Sequence, residues 1–257
     1  MKRLAVKIAY LGDGFSGSQV QPSSRTVEGE VLENLKLITK LDAETLDLRF
    51  SSRTDKGVNA LGNAISFHTE LEGHILLKAL NSVSDGVFYR SFCEIDEDMN
   101  IRHASRRRYR YVLPYDGRDM DLAKECAEVF VGEHDFLRFC RPDGKLTTLT
   151  IDSITVERLD DAVVLEFEAR YFLWNMIRRI SAAIDKVSRG RADIDQVRRA
   201  LDGEDITFGV ARPDALTLLD VGYDWLTFEP CTAPVVASRR DDCIFGCDLR
   251  RDFYRSL

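Results

Sequence analysis

The sequence predicts an α+β protein built from two similar halves, and two observations support this class. Short segments in which every second residue is apolar alternate with longer segments whose apolar residues recur at helical spacing. The same alternation repeats, more loosely, in the second half of the chain. With 257 residues, the chain has room for one large domain or two closely packed ones.

The first half is predicted to span residues 1–115. A helix over residues 27–40 places Val31, Leu35 and Ile38 on one stripe, and Thr26 before it is a suitable N-cap. Alternation predicts the strands, and helical spacing predicts a second helix. The predicted strands are Leu4–Ile8, Leu46–Phe50, one that begins near Asn63, Val87–Ile95 and Tyr109–Leu113, and the second helix is Ile75–Val83.

The second half is predicted to span residues 116–228. The turn Leu159-Asp160-Asp161 separates two alternating segments, and Gly190 ends a long amphipathic helix. Residues 229–257 contain two prolines and a charged end, which predict a peripheral tail. The predicted elements of this half are the helices Leu122–Phe130, Met176–Val187 and Ile194–Leu201 and the strands Ile151–Glu157 and Val163–Phe167.

The composition indicates a soluble protein of a reducing compartment. No apolar run is long enough to cross a bilayer, and the N-terminus lacks the apolar core of a signal peptide. The cysteines are scattered, which predicts reduced thiols and a cytoplasmic location. A metal site at Cys231, Cys243 and Cys247 is less favoured, because zinc sites usually have tighter paired spacing with nearby histidines.

The charge balance bears on a nucleic-acid partner. The chain has 43 acidic and 36 basic residues, a formal charge of −7, which argues mildly against RNA binding. Local clustering matters more than the sum, because a basic cleft focuses its field on an acidic partner.

The first candidate for chemistry is the polar loop of residues 51–60, which lies between two predicted strands. An arginine such as Arg53 can contact a phosphate or base, and Asp55, two residues later, can act as nucleophile or base. The alternative is a simple turn, since Thr-Asp before Gly is common turn chemistry and Arg with Asp often forms a surface ion pair. Local chemistry alone favours the turn.

The second candidate is the basic stretch of residues 102–111. If it is extended, Arg106, Arg108 and Arg110 share one face, and Arg107 lies on the other face with the tyrosines Tyr109 and Tyr111. Arginine donates forked hydrogen bonds to phosphate, and tyrosine stacks on unpaired bases. A solvated charged strand is the alternative, but packing like charges together has a cost that a polyanion would offset.

The third candidate is the segment of residues 172–180, which joins a strand pair to a helix. Arg178 lies at the start of that helix among apolar residues. A surface arginine that extends its charge to solvent is the usual explanation. If Arg178 is buried, it needs a carboxylate partner, and Asp55 is a candidate.

Taken in order, these segments resemble the TruA family of pseudouridine synthases. The Arg-Thr-Asp-Lys-Gly-Val sequence of residues 53–58 is similar to the family's Arg-Thr-Asp-Ala-Gly-Val loop, with Asp55 in the place of the catalytic aspartate. Tyr109 matches the tyrosine that the family stacks against the target base. Arg178 matches the arginine that pairs with the catalytic aspartate. Weaker matches at residues 9–15 and 132–136 extend the resemblance over most of the chain.

Departures from the family pattern are similar to those of archaeal and eukaryotic branches. Lys56 and Asn59 replace the usual Ala and His of the catalytic loop, and Ser18 stands where bacterial members have Trp. These departures bear on the choice of uridine more than on the chemistry.

The resemblance implies a pseudouridine synthase fold, in which two RRM-like or ferredoxin-like halves share a mixed, mainly antiparallel sheet with a central basic cleft. It also implies a homodimer that isomerises uridine in the anticodon stem-loop of tRNA without metal or nucleotide cofactor. The catalytic residues would be Asp55, Arg53, Tyr109 and Arg178. The substrate-binding residues would be Tyr109, Arg53, Arg106, Arg107, Arg108 and Arg110.

Two alternatives stay open. The chain would also suit a synthase for another tRNA position or another RNA. A basic, tyrosine-bearing strand on paired α+β halves would further suit an RNA-binding module without catalysis.

Overall fold

The computed structural model describes residues 1–144 and 146–256, which form a large sheet with helices packed on it. The strands are β1 (Lys2–Tyr10), β2 (Arg49–Phe50), β3 (Asn59–Thr69), β4 (Val87–Ile95), β5 (Arg106–Pro114), β6 (Gly132–Asp135), β7 (Thr148–Ile151), β8 (Ser153–Leu159), β9 (Ala162–Ala169), β10 (Leu216–Gly222) and β11 (Glu229–Pro230). The helices are α1 (Val27–Thr39), α2 (Ala43–Leu46), α3 (Gly73–Val83), α4 (Met120–Glu128), α5 (Met176–Ser188), α6 (Ile194–Leu201) and α7 (Pro234–Arg255).

The main sheet has the strand order β11-β4-β1-β3-β10-β5-β9-β8, and β2 pairs with β3. Neighbouring strands are antiparallel except β3 and β10, which are parallel. β10 comes late in the chain but lies in the middle of the sheet, where it joins β3 to β5. This mixed, mainly antiparallel sheet confirms the predicted α+β class.

One row of paired residues defines a single face of the sheet. Tyr10 pairs with Ala60, Ala60 with Leu218, Leu218 with Tyr109, and Tyr109 with Phe167. Paired residues of neighbouring strands point to the same face. All five side chains are buried, so we call this the inner face and the opposite one the outer face.

Several predicted elements are confirmed, and one strand is wrong. Thr26 caps α1 by accepting a hydrogen bond from the Gly29 amide, as its position predicts. The predicted strand Leu46–Phe50 is mostly absent, because α2 occupies its first residue and only β2 remains extended. The Asp42 side chain starts α2 by accepting from the Thr45 amide, and Asp47 ends it in the left-handed region at φ 42°.

The C-terminal residues form a long helix that the sequence analysis did not predict. α7 has no buried residue. It contacts the body of the protein through Arg239, which donates to the carbonyl of Asn81 at 3.2 Å and lies over the Phe88 ring at 4.2 Å. Among the helices of the described residues, none has the length and apolar composition needed to span a membrane.

Candidate active site

The loop that carries Asp55 runs from β2 to β3 and is held through the residue before it. The Thr54 amide donates to the Ser18 hydroxyl at 2.8 Å, and the Ser18 amide donates back to the Thr54 carbonyl at 3.0 Å. The Tyr10 and Thr54 hydroxyls share a hydrogen bond at 2.9 Å. Because Tyr10 belongs to the inner-face row, these bonds place Asp55 over the inner face of the sheet.

Two glycines allow the loop to pack closely. Gly57 has φ +84°, a region that L side chains rarely adopt. A Cβ atom on Gly12 would lie 2.4 Å from the Val58 carbonyl oxygen, so no side chain fits there. Asn59 bridges this contact, because its side-chain oxygen accepts from the Gly12 amide and its nitrogen donates to the Asp214 carbonyl, both at 2.9 Å. The family departure at Asn59 therefore supports the loop.

The Asp55 carboxylate has two partners from the segment before α5 and from α5 itself. Arg178 Nη1 lies 3.5 Å from Asp55 Oδ2, which is the pairing that the sequence analysis considered. Trp174 Nε1 donates to Asp55 Oδ1 at 3.0 Å. Arg178 also donates to the Ala211 carbonyl at 2.8 Å and to the Asn175 side-chain oxygen at 3.0 Å. The carboxylate remains accessible, with 36% of its side-chain surface exposed.

Tyr109 lies on the inner face close to the same carboxylate. Its ring meets the Phe172 ring edge-on at 5.4 Å between centroids. Burial raises the pKa of Tyr109, the Arg107 charge opposes this, and Tyr10 and Asp55 raise the pKa further. The tyrosine therefore stays protonated near neutral pH, and it offers Asp55 a neutral aromatic neighbour.

The arginines of β5 divide between the two faces, as the alternation predicts. Arg107 is buried behind the loop and donates to the Ser52 hydroxyl at 2.8 Å. The other three point to the outer face, away from Asp55, and each has an acidic partner. Their ion pairs are Arg106 with Asp224 at 2.7 Å, Arg108 with Glu166 at 3.2 Å and with Glu168 at 3.7 Å, and Arg110 with Glu166 at 2.6 Å.

Arg53 is exposed at the edge of the loop. With its amide oxygen turned toward the guanidinium, Gln19 accepts from Arg53 Nε at 3.2 Å and from Nη2 at 3.0 Å. Arg53 lines a small cavity of about 90 Å³ together with Arg49 and Arg102. Glu28 is the acidic side chain in that lining. Three arginine side chains thus line the cavity beside the Asp55 loop, a grouping that suits a phosphate, and the Arg49 guanidinium also pairs with Asp47.

A larger cavity of about 480 Å³ lies elsewhere, between α4 and α6. Its lining includes Glu128, His134 and Leu201 and none of the residues that surround Asp55. Residues 1–144 and 146–256 contain no group of three or more metal-ligating side chains.

The structure brings together Asp55, Tyr109 and Arg178, with Arg53 in the same loop. Trp174 and Ser18 were not predicted as site residues, although both lie in segments that carry the resemblance. The residue type alone was a signal for Trp174, because its indole N–H is a hydrogen-bond donor. The partner of neither residue can be found locally, since Asp55 lies 119 residues from Trp174 and Thr54 lies 36 residues from Ser18.

The chain is similar to known proteins over most of its length. A family model described as tRNA pseudouridine synthase matches residues 126–224. A protein of Pyrococcus abyssi named tRNA pseudouridine synthase A is 38% identical over 230 residues, covering 88% of this chain and 86% of the relative. Proteins of the same name from Archaeoglobus fulgidus and Methanosarcina mazei are 36% and 33% identical, covering 89% and 86% of this chain and 86% and 84% of the relatives.

Among solved structures, a chain of a Cbf5-Nop10-Gar1 complex is 15% identical with a TM-score of 0.37. The match covers 71% of this chain and 45% of that chain, so this chain spans less than half of its length.

Proposed function

Because the chain belongs to the TruA family of tRNA pseudouridine synthases, we propose that it converts uridine to pseudouridine in the anticodon stem-loop of tRNA, with Asp55 as the nucleophile. The family makes the chain an isomerase that acts on tRNA. The observation that carries the role of Asp55 is the placement of its accessible carboxylate beside Arg178 and over the face that bears Tyr109.

The reaction is an isomerisation in which atoms balance without a co-substrate. The bond between the sugar C1′ and uracil N1 breaks, a bond between C1′ and C5 forms, C5 loses a proton and N1 gains one. The target uridine first leaves its stack, because the glycosidic bond is otherwise covered. Asp55 then supplies the attacking oxygen, at the sugar or at the uracil ring.

Two neighbours of Asp55, Arg178 and Tyr109, have separate roles in the reaction. Arg178 places a positive charge next to the Asp55 carboxylate, and its bonds to Asn175 and Ala211 keep that charge in place. Tyr109 offers a ring against which the flipped uracil stacks. Tyr109 is only 8% exposed, so the uracil must displace side chains that cover its ring. The half-buried Phe172, whose ring packs edge-on against Tyr109, is one of these.

RNA contacts close to the nucleophile are assigned to Arg53, which is exposed two residues before it. Arg53 fills the space of the flipped base or holds a phosphate, together with Arg49 and Arg102 around the small cavity. Arg107 acts from behind the loop. The outer-face arginines are Arg106, Arg108 and Arg110. If they bind RNA, they do so away from Asp55, and the phosphates compete with the carboxylates that already pair with these arginines.

The proposal includes a homodimer and a cytoplasmic location. Exposed apolar side chains such as Leu61 and Val112 provide surface for association, and sedimentation of the purified protein measures the state. All six cysteines are free thiols, a state that suits a reducing compartment.

The test is conversion of unmodified tRNA transcripts in buffer and salt, with pseudouridine mapped by carbodiimide-based sequencing. Wild type is compared with Asp55→Asn, which keeps the shape of the side chain and removes its charge. Asp98→Asn is the matched control, because Asp98 is an exposed carboxylate in the turn after β4. We expect wild type and the control to convert anticodon-stem uridines and Asp55→Asn to bind tRNA without converting it.

Three outcomes would contradict parts of this proposal. Conversion by Asp55→Asn would remove the nucleophile assignment. Conversion only at uridines outside the anticodon stem-loop would change the substrate position. Binding of tRNA by wild type without any conversion would favour an RNA-binding module.

A further inference from the structure

We propose that Trp174 is a positioning residue that orients the Asp55 carboxylate for attack, with Arg141 stacked on its indole as the support. The proposal rests on the proposed function, in that it assigns a task to the neighbour of the nucleophile. The contact that orients the carboxylate is the hydrogen bond from Trp174 Nε1 to Asp55 Oδ1.

The two contacts of Asp55 differ in what they do. The indole N–H lies 3.0 Å from Oδ1, within the range of a directional hydrogen bond. Arg178 lies 3.5 Å from Oδ2, which is at the limit for a hydrogen bond but close enough for charge attraction. Charge attraction tolerates rotation of the carboxylate, whereas a hydrogen bond to one oxygen does not. Trp174 therefore sets the orientation, and Arg178 supplies the charge.

Burial does not explain the position of Trp174. The side chain is 42% exposed, so the hydrophobic effect alone would leave its rotamer free. Specific contacts hold it instead. The Arg141 guanidinium lies 4.0 Å from the ring centroid, and the Arg141 amide donates to the Trp174 carbonyl at 2.7 Å.

The backbone on the other side of Trp174 is also constrained. Asn175 adopts the left-handed region at φ 62°, which turns the chain directly into α5. Its side-chain oxygen accepts from Arg178 Nη1 at 3.0 Å. The two partners of Asp55, Trp174 and Arg178, are thus connected through Asn175. A shift of the indole would therefore also move the Arg178 guanidinium.

An oriented carboxylate affects the chemical step more than RNA binding. The order that attack requires is present before the uridine arrives, so it is not lost in the transition state. A hydrogen bond to a charged group of this kind corresponds to a rate factor of about tenfold to a hundredfold. We expect its removal to lower kcat by about that factor and to leave the KM for tRNA nearly unchanged.

The central variant is Trp174→Phe, which keeps a ring for Arg141 and removes the N–H donor. Trp225→Phe is the matched control, because Trp225 is the other tryptophan and is 60% exposed with no assigned part in the site. Single-turnover rates and tRNA affinities are measured for both variants and wild type, with thermal unfolding as the folding check. We expect only Trp174→Phe to lose rate, at unchanged unfolding temperature.

Fluorescence supplies a readout that does not depend on activity. In the Trp225→Phe background, Trp174 is the remaining tryptophan, and its emission reports on the indole environment. If the indole binds the carboxylate, adding Asp55→Ala to that background shifts the emission and lowers its anisotropy, because the acceptor of the indole N–H is removed. Adding Asp98→Ala instead leaves both unchanged.

The outcomes separate this inference from the proposed function. A wild-type rate in Trp174→Phe, or a loss confined to KM, overturns the positioning role while the enzyme assignment stands. Emission that is unchanged by Asp55→Ala overturns the contact itself. If wild type converts no tRNA, the proposed function fails, and the fluorescence pair still decides whether the indole binds Asp55.

Discussion

Arg107 is a buried arginine of β5, and replacing it distinguishes two roles. The side chain either stabilises the Asp55 loop or contacts RNA directly. Its guanidinium donates to the Ser52 hydroxyl at 2.8 Å and to the Arg170 carbonyl at 2.6 Å. It also donates to the carbonyls of Ser51 at 3.3 Å and Arg102 at 3.1 Å. Burial lowers the pKa of Arg107 below its usual value, which reflects the cost of holding this charge inside the protein. The change we consider is Arg107→Met, which keeps the stem and removes the donors.

The magnitude follows from the acceptors that the change leaves behind. The Arg170 and Arg102 residues are exposed, so water replaces the lost donor at their carbonyls. The Ser51 carbonyl and the Ser52 hydroxyl lose a donor in the buried region, at about 1 to 3 kcal/mol each. The methionine side chain buries no more apolar surface than the arginine stem that it replaces. It therefore adds little stability to offset the lost hydrogen bonds. We expect the free energy of unfolding to fall by about 3 kcal/mol.

Urea unfolding at neutral pH measures this loss, and Arg108→Met is the matched control on the same strand. Arg108 points to the outer face and pairs with Glu166 at 3.2 Å, an exposed ion pair that contributes about 0 to 1 kcal/mol. Conversion of tRNA by Arg107→Met should fall as well, because Ser51 and Ser52 lead directly into the loop. Equal losses of stability in the two variants would refute the reasoning. A normal unfolding free energy with weakened tRNA binding would instead make Arg107 an RNA contact.

The remaining predictions concern Glu30, Gly57 and salt. Burial would raise the pKa of Glu30, but the Gly86 amide and Arg25 outweigh it and hold the pKa below 4.5, so its stabilising effect is complete above pH 4.5 and is lost as the pH falls through the lowered pKa. Glu30→Gln should therefore cost about 1 to 2 kcal/mol at pH 7 in urea unfolding, and an equal difference at pH 3 would contradict this. Gly57→Ala should cost about 1 to 2 kcal/mol and reduce conversion, because φ is +84° and its Cβ would lie 3.1 Å from Pro213 Cγ; an unchanged rate would show that the loop tolerates the strain. The logarithm of the tRNA binding constant should fall linearly with the logarithm of salt concentration, and a flat dependence would exclude phosphate contacts.

The local features of the fold follow from the amino-acid sequence alone. The helical stripe and the Thr26 cap are sufficient to place α1, since capping and periodicity depend on neighbours a few residues apart. The alternation in β5 likewise placed Tyr109 inside and Arg108 outside. The order of the motifs, from the Asp55 loop to the helix that carries Arg178, identified the family before any contact was known.

Contacts between residues that lie far apart in the chain are seen only in the folded protein. Trp174 reaches Asp55 across 119 residues, and Arg108 meets Glu166 across 58, so no local pattern records either pairing. The position of β10 between β3 and β5 likewise results from long-range pairing, and it brings the two halves of the site onto one face. Periodicity states which side of a strand a residue occupies, whereas the partner across the sheet depends on register and topology.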